Sequence, residues 1–320
     1  MFMEEILMII IIVLILILVV LLALSYYMFA SVFDMKIYKH QEPKDDFIDS
    51  DKDLMRPTAY KQYAFLAPYM EKLKEIPYED LYIQSFDGLK LHGYLYKGEG
   101  KEVVICVHGY KSAPPNDFAD KMQIYTARKA SILMIDDRAH GKSEGRYLGF
   151  SELDKYDIKS WVDKINELYD NPSIYLHGVS MGGASVLHTA DMNLKNVKGI
   201  ISDCGFNSID GIVRFLVKKS YHVPYFPLAN FANMWSKIIA KVDFKASIGE
   251  EIVANSNVPI VFIHGKLDNF VPCQMSINMY NACTNKKALL LVEDCGHAAA
   301  YCCAQEEYTK IIYKLMDGEL

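Results

Sequence analysis

Ser180, Asp268 and His297 are residue types that can share one reaction, and each stands where that reaction would need it. Ser180 is the centre of "GVSMG" within "SIYLHGVSMGGASVL". A β-branched, apolar run enters this stretch and small helix formers leave it, so Ser180 falls in the turn between a strand and a helix. That is the G-x-S-x-G pattern in the context of a nucleophile elbow, whose sharp turn lifts the hydroxyl above a sheet. Gly178 and Gly182 lack the side chains that would collide as strand and helix close up. At the helix N-terminus, backbone N–H groups point outward and favour developing negative charge.

A serine hydroxyl is a weak nucleophile until a base takes its proton. In the chain order Ser, acid, His, the base comes last. His297 in "LLLVEDCGHAAAY" follows the final strand-like run and is the candidate base. Asp268 in "PIVFIHGKLDNFVP" follows the strand-like run before it and would hold the imidazole tautomer. Asp203, closing "VKGIISD", is the alternative acid; failing that, it fixes the loop beneath a cap. The oxyanion donors expected from this arrangement are the backbone N–H of Met181 and that of Tyr110, in the loop after "EVVICVHGY". The Tyr110 phenol either touches substrate or packs. His108, His140 and His177 read as scaffold.

These residues must be positioned by a sheet. Six short apolar runs, at 102–108, 131–137, 173–178, 197–203, 259–265 and 287–293, alternate with amphipathic stretches such as "SELDKYDIKSWVDKINELY". Runs apolar on both faces, alternating with helices, predict an α/β class: a mostly parallel sheet with helices on both faces. Asp87-Gly88 splits "EDLYIQSF" from "LKLHGYLYK" and predicts an antiparallel hairpin at one edge. Residues 206–245 break the rhythm. They are too long for one crossover helix and predict a small helical cap inserted after the sixth strand. Its aromatics, Phe206, Phe215, Tyr221, Tyr225, Phe226, Phe231 and Trp235, either glue the cap to the body or line an apolar acyl pocket.

From Ile6 to Leu24 every residue is apolar, and no charge follows until Asp34. A helix of that length spans about 28 Å, close to the hydrocarbon core of a bilayer. "ALS" at Ala23–Ser25 offers a cleavage-like site, but Glu4 and Glu5 and the length of the run favour a retained single-pass anchor. Lys36, Lys39 and Lys44 follow the span with no Lys or Arg before it, which by the positive-inside rule places the C-terminal domain in the cytoplasm. The stretch from Asp34 is charged and punctuated by proline (Pro57, Pro68, Pro77), as in a tether, and "TAYKQYAFLAPYMEKLKEI" predicts a helix on the domain surface.

The bulk composition excludes other classes. A net charge of −6 without a basic block argues against nucleic acid as a partner. Seven cysteines without a C-x-x-C pair lack metal or redox spacing and read as reduced thiols.

"VHGY", "DDRAHGKSEG", "GVSMGG", "ISDCGF", "IHGKLDNFVP" and "EDCGHA", in that order over roughly residues 78–316, resemble the α/β-hydrolases. The nearest likeness is to membrane-anchored bacterial members grouped with the serine aminopeptidase-like (S33) and prolyl-oligopeptidase-like branches. The resemblance implies the α/β-hydrolase fold, a Ser180–His297–Asp268 triad, and no metal or organic cofactor. With the apolar run, the charged stretch and the broken rhythm read above, the chain is expected to divide into an anchor (1–33), a tether and surface segment (34–77) and a hydrolase domain (78–320) with its cap at about 206–245. The expected reaction is cleavage of an ester or other acyl bond through an acyl-enzyme, on an apolar acyl substrate near the membrane. The alternatives are an aminopeptidase-like peptidase acting on a peptide, an acyltransferase using the same triad, and a non-catalytic membrane-tethered binding protein.

Overall fold

A computed structural model describes residues 2–39, 59–221 and 225–320. Lys44, Pro57 and most of the expected tether lie outside the described residues, as do the side chains of Lys39 and Tyr221.

Eight strands form one sheet: β1 (Glu79–Gln84), β2 (Lys90–Tyr96), β3 (Glu102–Val107), β4 (Ser131–Asp136), β5 (Ser173–Val179), β6 (Val197–Asp203), β7 (Ile260–Gly265) and β8 (Lys287–Val292). Their spatial order is β1-β2-β4-β3-β5-β6-β7-β8. The β1–β2 and β2–β4 pairs are antiparallel and all others are parallel. Each apolar run holds a strand, and the Asp87-Gly88 hairpin forms the edge. β4 and β7 are buried throughout, as strands covered on both sides must be.

Alternation along the strands divides the core. Val104 and Cys106 face one layer with Phe118, Tyr125, Tyr308 and Leu315. Val103, Ile105 and Val107 face the other with Ile158, Trp161, Val162 and Ile165, which form one stripe of the helix Asp154–Leu168. The cap follows β6: helix Ile209–Leu216 runs on into a π-helical turn Val217–Tyr221, and helix Leu228–Trp235 into another at Ser236–Ala240.

The apolar N-terminal helix runs Phe2–Phe33 and is long and apolar enough to cross a membrane; a signal sequence meets the same description. Its side chains are exposed along the most apolar stretch, but Ser25, Phe29, Ala30 and Phe33 are buried against the domain. The tether expected from Asp34 does not begin there. Asp34 is buried, its carboxylate accepts from Arg146 at 2.6 Å, and Met35 N–H donates to the Arg146 carbonyl. Arg146 supplies the countercharge that allows the carboxylate to be buried. The helix Ala59–Lys74 packs on the surface as expected, burying Leu73, with the Phe65 ring against Tyr301.

The parallel register aligns the strand ends that carry the chemistry. Val107 pairs with Gly178, Val179 with Asp203 and Asp203 with Ile263. Ser180, Cys204 and the loops after β3, β7 and β8 therefore leave the sheet at one carboxyl edge, where open α/β sheets bind their ligands.

Candidate active site

Ser180 is the N-cap of helix Met181–Leu187 and has φ 55° and ψ −114°. A non-glycine residue at positive φ is strained and must be held by its surroundings. Ser180 N–H donates to the Asp203 carbonyl at 2.8 Å, and its own carbonyl accepts from Ala184 N–H at 3.0 Å. The two flanking glycines are steric requirements. A Cβ on Gly178 would lie 2.0 Å from the Gly182 carbonyl oxygen, and one on Gly182 would lie 2.0 Å from that of Val107.

The Ser180 hydroxyl lies 2.9 Å from Nε2 of His297, whose Nδ1 lies 2.6 Å from Oδ2 of Asp268. The tautomer protonated on Nδ1 satisfies both bonds: the serine donates to Nε2 and the imidazole donates to the carboxylate. The Phe270 ring stands edge-on to the imidazole at 5.1 Å. Asp268 Oδ1 accepts from the N–H groups of Phe270 and Val271, both at 2.8 Å. Burial pushes the Asp268 carboxyl up, but the electrostatic interaction with His297 and the hydrogen bonds from His264 and His297 outweigh it and hold the carboxyl well below its usual range. It is an ionised acceptor in a nearly dry site, with Ser180 6% and His297 8% exposed.

The loop after β3 passes over the nucleophile: a Cβ built on Gly109 would meet the Ser180 Cβ at 3.3 Å. Gly109 N–H donates to Asp117 Oδ2 at 2.8 Å, which fixes the loop and makes Tyr110 the next backbone donor along it. Met181 opens the helix, so its N–H has no intrahelical acceptor. The Tyr110 phenol packs: its ring meets Phe150 at 5.7 Å and its hydroxyl donates to the Val32 carbonyl at 3.0 Å.

The Asp203 carboxylate makes no hydrogen bond to His297 or to a loop under the cap. It accepts from the Tyr308 hydroxyl at 2.9 Å, which continues a buried chain through His177 to Tyr125. Burial raises the Asp203 carboxyl, with Lys121 offsetting part of the effect. His108 donates from Nδ1 to the Gly109 carbonyl and accepts at Nε2 from Asp137 N–H, so it braces the strand end. His140 stacks edge-on against His108 at 4.6 Å. Arg138 of "DDRAHGKSEG" bridges Asp157 and Asp87.

Two residues near the triad are absent from the sequence expectations. His264 Nε2 lies 3.1 Å from Asp268 Oδ2 and 2.9 Å from the Val271 carbonyl, and its Nδ1 lies 2.7 Å from Ser276 Oγ. The signal for it was a His-Gly at a strand end, shared with His108 and His177. Cys204 Sγ lies within 4.8 Å of ligand atoms of Asp268 and His297, the spacing of a three-donor metal site. The donors do not suit one. His297 Nδ1 and Asp268 Oδ2 are bonded to each other, and burial with the charges of Asp203 and Asp268 keeps the thiol protonated.

The cap aromatics divide. Phe206 is buried 5.9 Å from Phe150, in the apolar cluster that includes Met181. Trp235 faces the N-terminal helix, where it meets Tyr26 edge-on at 5.5 Å. Tyr225 donates to Asp210, and Phe226 is 72% exposed.

Comparison with known proteins agrees with this architecture. Residues 98–242 match the family model described as serine aminopeptidase, S33. The Bacillus subtilis protein YqkD is 24% identical over 239 residues, 74% of this chain and 78% of its own. The thiohydrolase aneE of Aspergillus aculeatus is 30% identical over 138 residues, 41% of this chain and 42% of its own. Among solved structures, the Pyrococcus furiosus esterase Pf2001 superposes with a TM-score of 0.63 at 21% identity, covering 77% of this chain and 92% of that one. The sheet order and these likenesses agree on the α/β-hydrolase fold, and residues 98–242 are similar to the serine aminopeptidase, S33 family.

Proposed function

We propose that the chain is a serine hydrolase that cleaves an ester or thioester of an apolar acyl group, tethered to a membrane by its N-terminal helix. The observation that carries this reading is the hydrogen-bonded line from Ser180 Oγ through His297 to Asp268, at 2.9 and 2.6 Å. Ser180 Oγ attacks the acyl carbonyl as His297 Nε2 takes its proton. The tetrahedral oxyanion accepts from the N–H groups of Met181 and Tyr110. Collapse expels the alcohol or thiol, which receives the proton from His297, and leaves acyl-Ser180. Water then attacks, activated by the same imidazole, and the carboxylic acid departs. Asp268 stays ionised throughout and stabilises the imidazolium.

The surroundings favour an apolar acyl group. Phe150, Met181, Phe206 and Val271 form one buried apolar cluster beside the triad, with Phe270 packed against it. An aminopeptidase needs a carboxylate for the substrate amine. Among the described residues of the cap, Asp210 is engaged by Arg214 and Tyr225, and Asp243 by Lys237 and Asn233. The relative named as a thiohydrolase supports including thioesters in the substrate screen.

The test is fluorophosphonate labelling of the full chain in detergent, beside Ser180→Ala, followed by turnover of p-nitrophenyl acyl esters, acyl thioesters and aminoacyl amides. Labelling lost in Ser180→Ala, with esters or thioesters turned over faster than amides, supports the reading. Labelling that persists in Ser180→Ala, or a preference for the amides, overturns it.

A further inference from the structure

The last four carbonyls of an α-helix have no partner within it. In the N-terminal helix all four find donors, and two come from the oxyanion loop. Ala30 accepts from Asp34 N–H at 3.0 Å and Phe33 from Leu148 N–H at 3.1 Å. Ser31 accepts from Lys111 Nζ at 2.8 Å and Val32 from the Tyr110 hydroxyl at 3.0 Å. The Lys111 ammonium also complements the negative end of the helix dipole.

The same turns are continuous with the buried apolar cluster beside Ser180. Phe33 meets Phe150 at 5.0 Å and Phe244 at 5.8 Å, and Phe150 meets both Tyr110 and Phe206. Phe29, Phe33 and Met181 belong to one buried apolar cluster. On the cap side, Trp235 Nε1 donates to Ser25 Oγ at 3.1 Å. Exposure changes sharply along the helix: Val20 is 55% and Leu24 50% exposed, whereas Phe29 is 2% and Phe33 1%. Exposed Tyr26 and Tyr27 stand at this boundary, as aromatic residues do at a membrane–water interface, and Ile238 on the cap turn beside the helix is 56% exposed.

We infer that the turns Ser25–Phe33 are a wall of the acyl site that seats its mouth on the bilayer surface, and that the substrates are long-chain acyl esters resident in that bilayer. This rests on the serine-hydrolase reading above. A rigid helix fixes the height of the site above the hydrocarbon, so an acyl chain passes from the leaflet into the Phe150–Phe206 lining without crossing water. The hydrophobic cost of exposing an acyl chain to water grows with every CH₂, so such a path matters for long chains and not for short ones.

The test inserts a flexible Gly-Ser linker of about ten residues between Leu24 and Ser25 of the full chain, which leaves the docked turns in place and uncouples them from the span. Wild type and the insertion variant are reconstituted in phosphatidylcholine vesicles. They are compared on water-soluble p-nitrophenyl butyrate and on p-nitrophenyl palmitate dissolved in the vesicles. The expected result is equal butyrate turnover and equal fluorophosphonate labelling, with palmitate turnover reduced about tenfold, because the mouth no longer has a fixed place at the surface. In detergent micelles the two proteins should turn over palmitate equally. An unchanged palmitate rate in vesicles, a parallel fall on both substrates, or a palmitate defect that persists in micelles overturns the inference. Failure of the wild type to label would instead overturn the serine-hydrolase reading beneath it.

Discussion

His264 and His297 share one acceptor: Oδ2 of Asp268 lies 2.6 Å from Nδ1 of His297 and 3.1 Å from Nε2 of His264. His264 is fully buried and is itself oriented by Ser276, so it presents a fixed donor that pins the carboxylate in the plane His297 needs. In the proposed mechanism this makes it a positioning residue. His264→Phe should lower kcat by about tenfold, ~1.4 kcal/mol, with KM unchanged, because the lost bond orients the base in the transition state and does not bind substrate. His264→Gln, which restores an N–H donor, should recover most of that loss. A KM effect of similar size, or no rescue by glutamine, would make His264 a packing residue only.

In the proposed mechanism Ser180, His297 and Asp268 act as a unit. Asp268→Asn should lower kcat by about 10⁴ by disfavouring the working tautomer, and adding Ser180→Ala should cost far less than the product of the single losses. Steady-state kinetics on the single and double variants checks this. Independent, multiplying effects would mean that the hydrogen-bonded line is not the reacting system.

Ser180 was legible because glycines, strand and helix all constrain one turn, and its partners because a β/α chain order places them beyond later strands. Asp203 was misjudged because a carboxylate at a strand end reads the same whether it turns toward a cap or toward the core. Only the structure shows Tyr308 and His177 receiving it. His264 hid for a related reason, since "IHG", "VHG" and "LHG" are the same signal with different partners. The docked turns were illegible because Phe29 and Phe33 continue an apolar helix, and composition alone does not separate a side chain facing lipid from one facing protein.

Gly182 allows the elbow helix to lie against β3. Gly182→Ala would place a methyl 2.0 Å from the Val107 carbonyl oxygen, a backbone atom that can move only with its strand. The variant should lose about 3 kcal/mol or more of stability, and serine labelling with it. Urea unfolding of the detergent-solubilised chain measures this. A well-folded, fully labelled Gly182→Ala would show that the elbow can relax without its glycine.

Asp243 closes the cap turn. The hydrogen bond from Lys237 leads in lowering its carboxyl, with Asn233 and the Lys245 N–H assisting and burial opposing, and its pKa falls from 3.8 to about 2. A depressed carboxyl stabilises the fold above its unfolded pKa and loses that contribution as pH falls through the folded value. The window is therefore between about pH 4 and pH 2. The group is largely solvated, so its contribution is below about 1 kcal/mol. The melting-temperature difference between wild type and Asp243→Asn should be constant above pH 5 and vanish toward pH 2. A difference that survives at pH 2 would assign the effect to packing.

Phe33 ends the N-terminal helix inside the domain, 1% exposed, stacked on Phe244 and tilted against Phe150. A residue that only faced lipid would contribute nothing to the fold of the domain. One that fills the space between cap and body should. Phe33→Ala should cost about 3–5 kcal/mol of domain stability by lost burial and an unfilled cavity. Leu18→Ala, in the exposed stretch of the same helix, should cost less than about 0.5 kcal/mol. Thermal melts of both variants in the same detergent separate the two cases. A chain begun at Asp34, which removes Phe29 and Phe33 together, should melt lower still and expose Phe150 and Phe244. Equal melting of Phe33→Ala and wild type would show that the docked turns are not part of the domain's core.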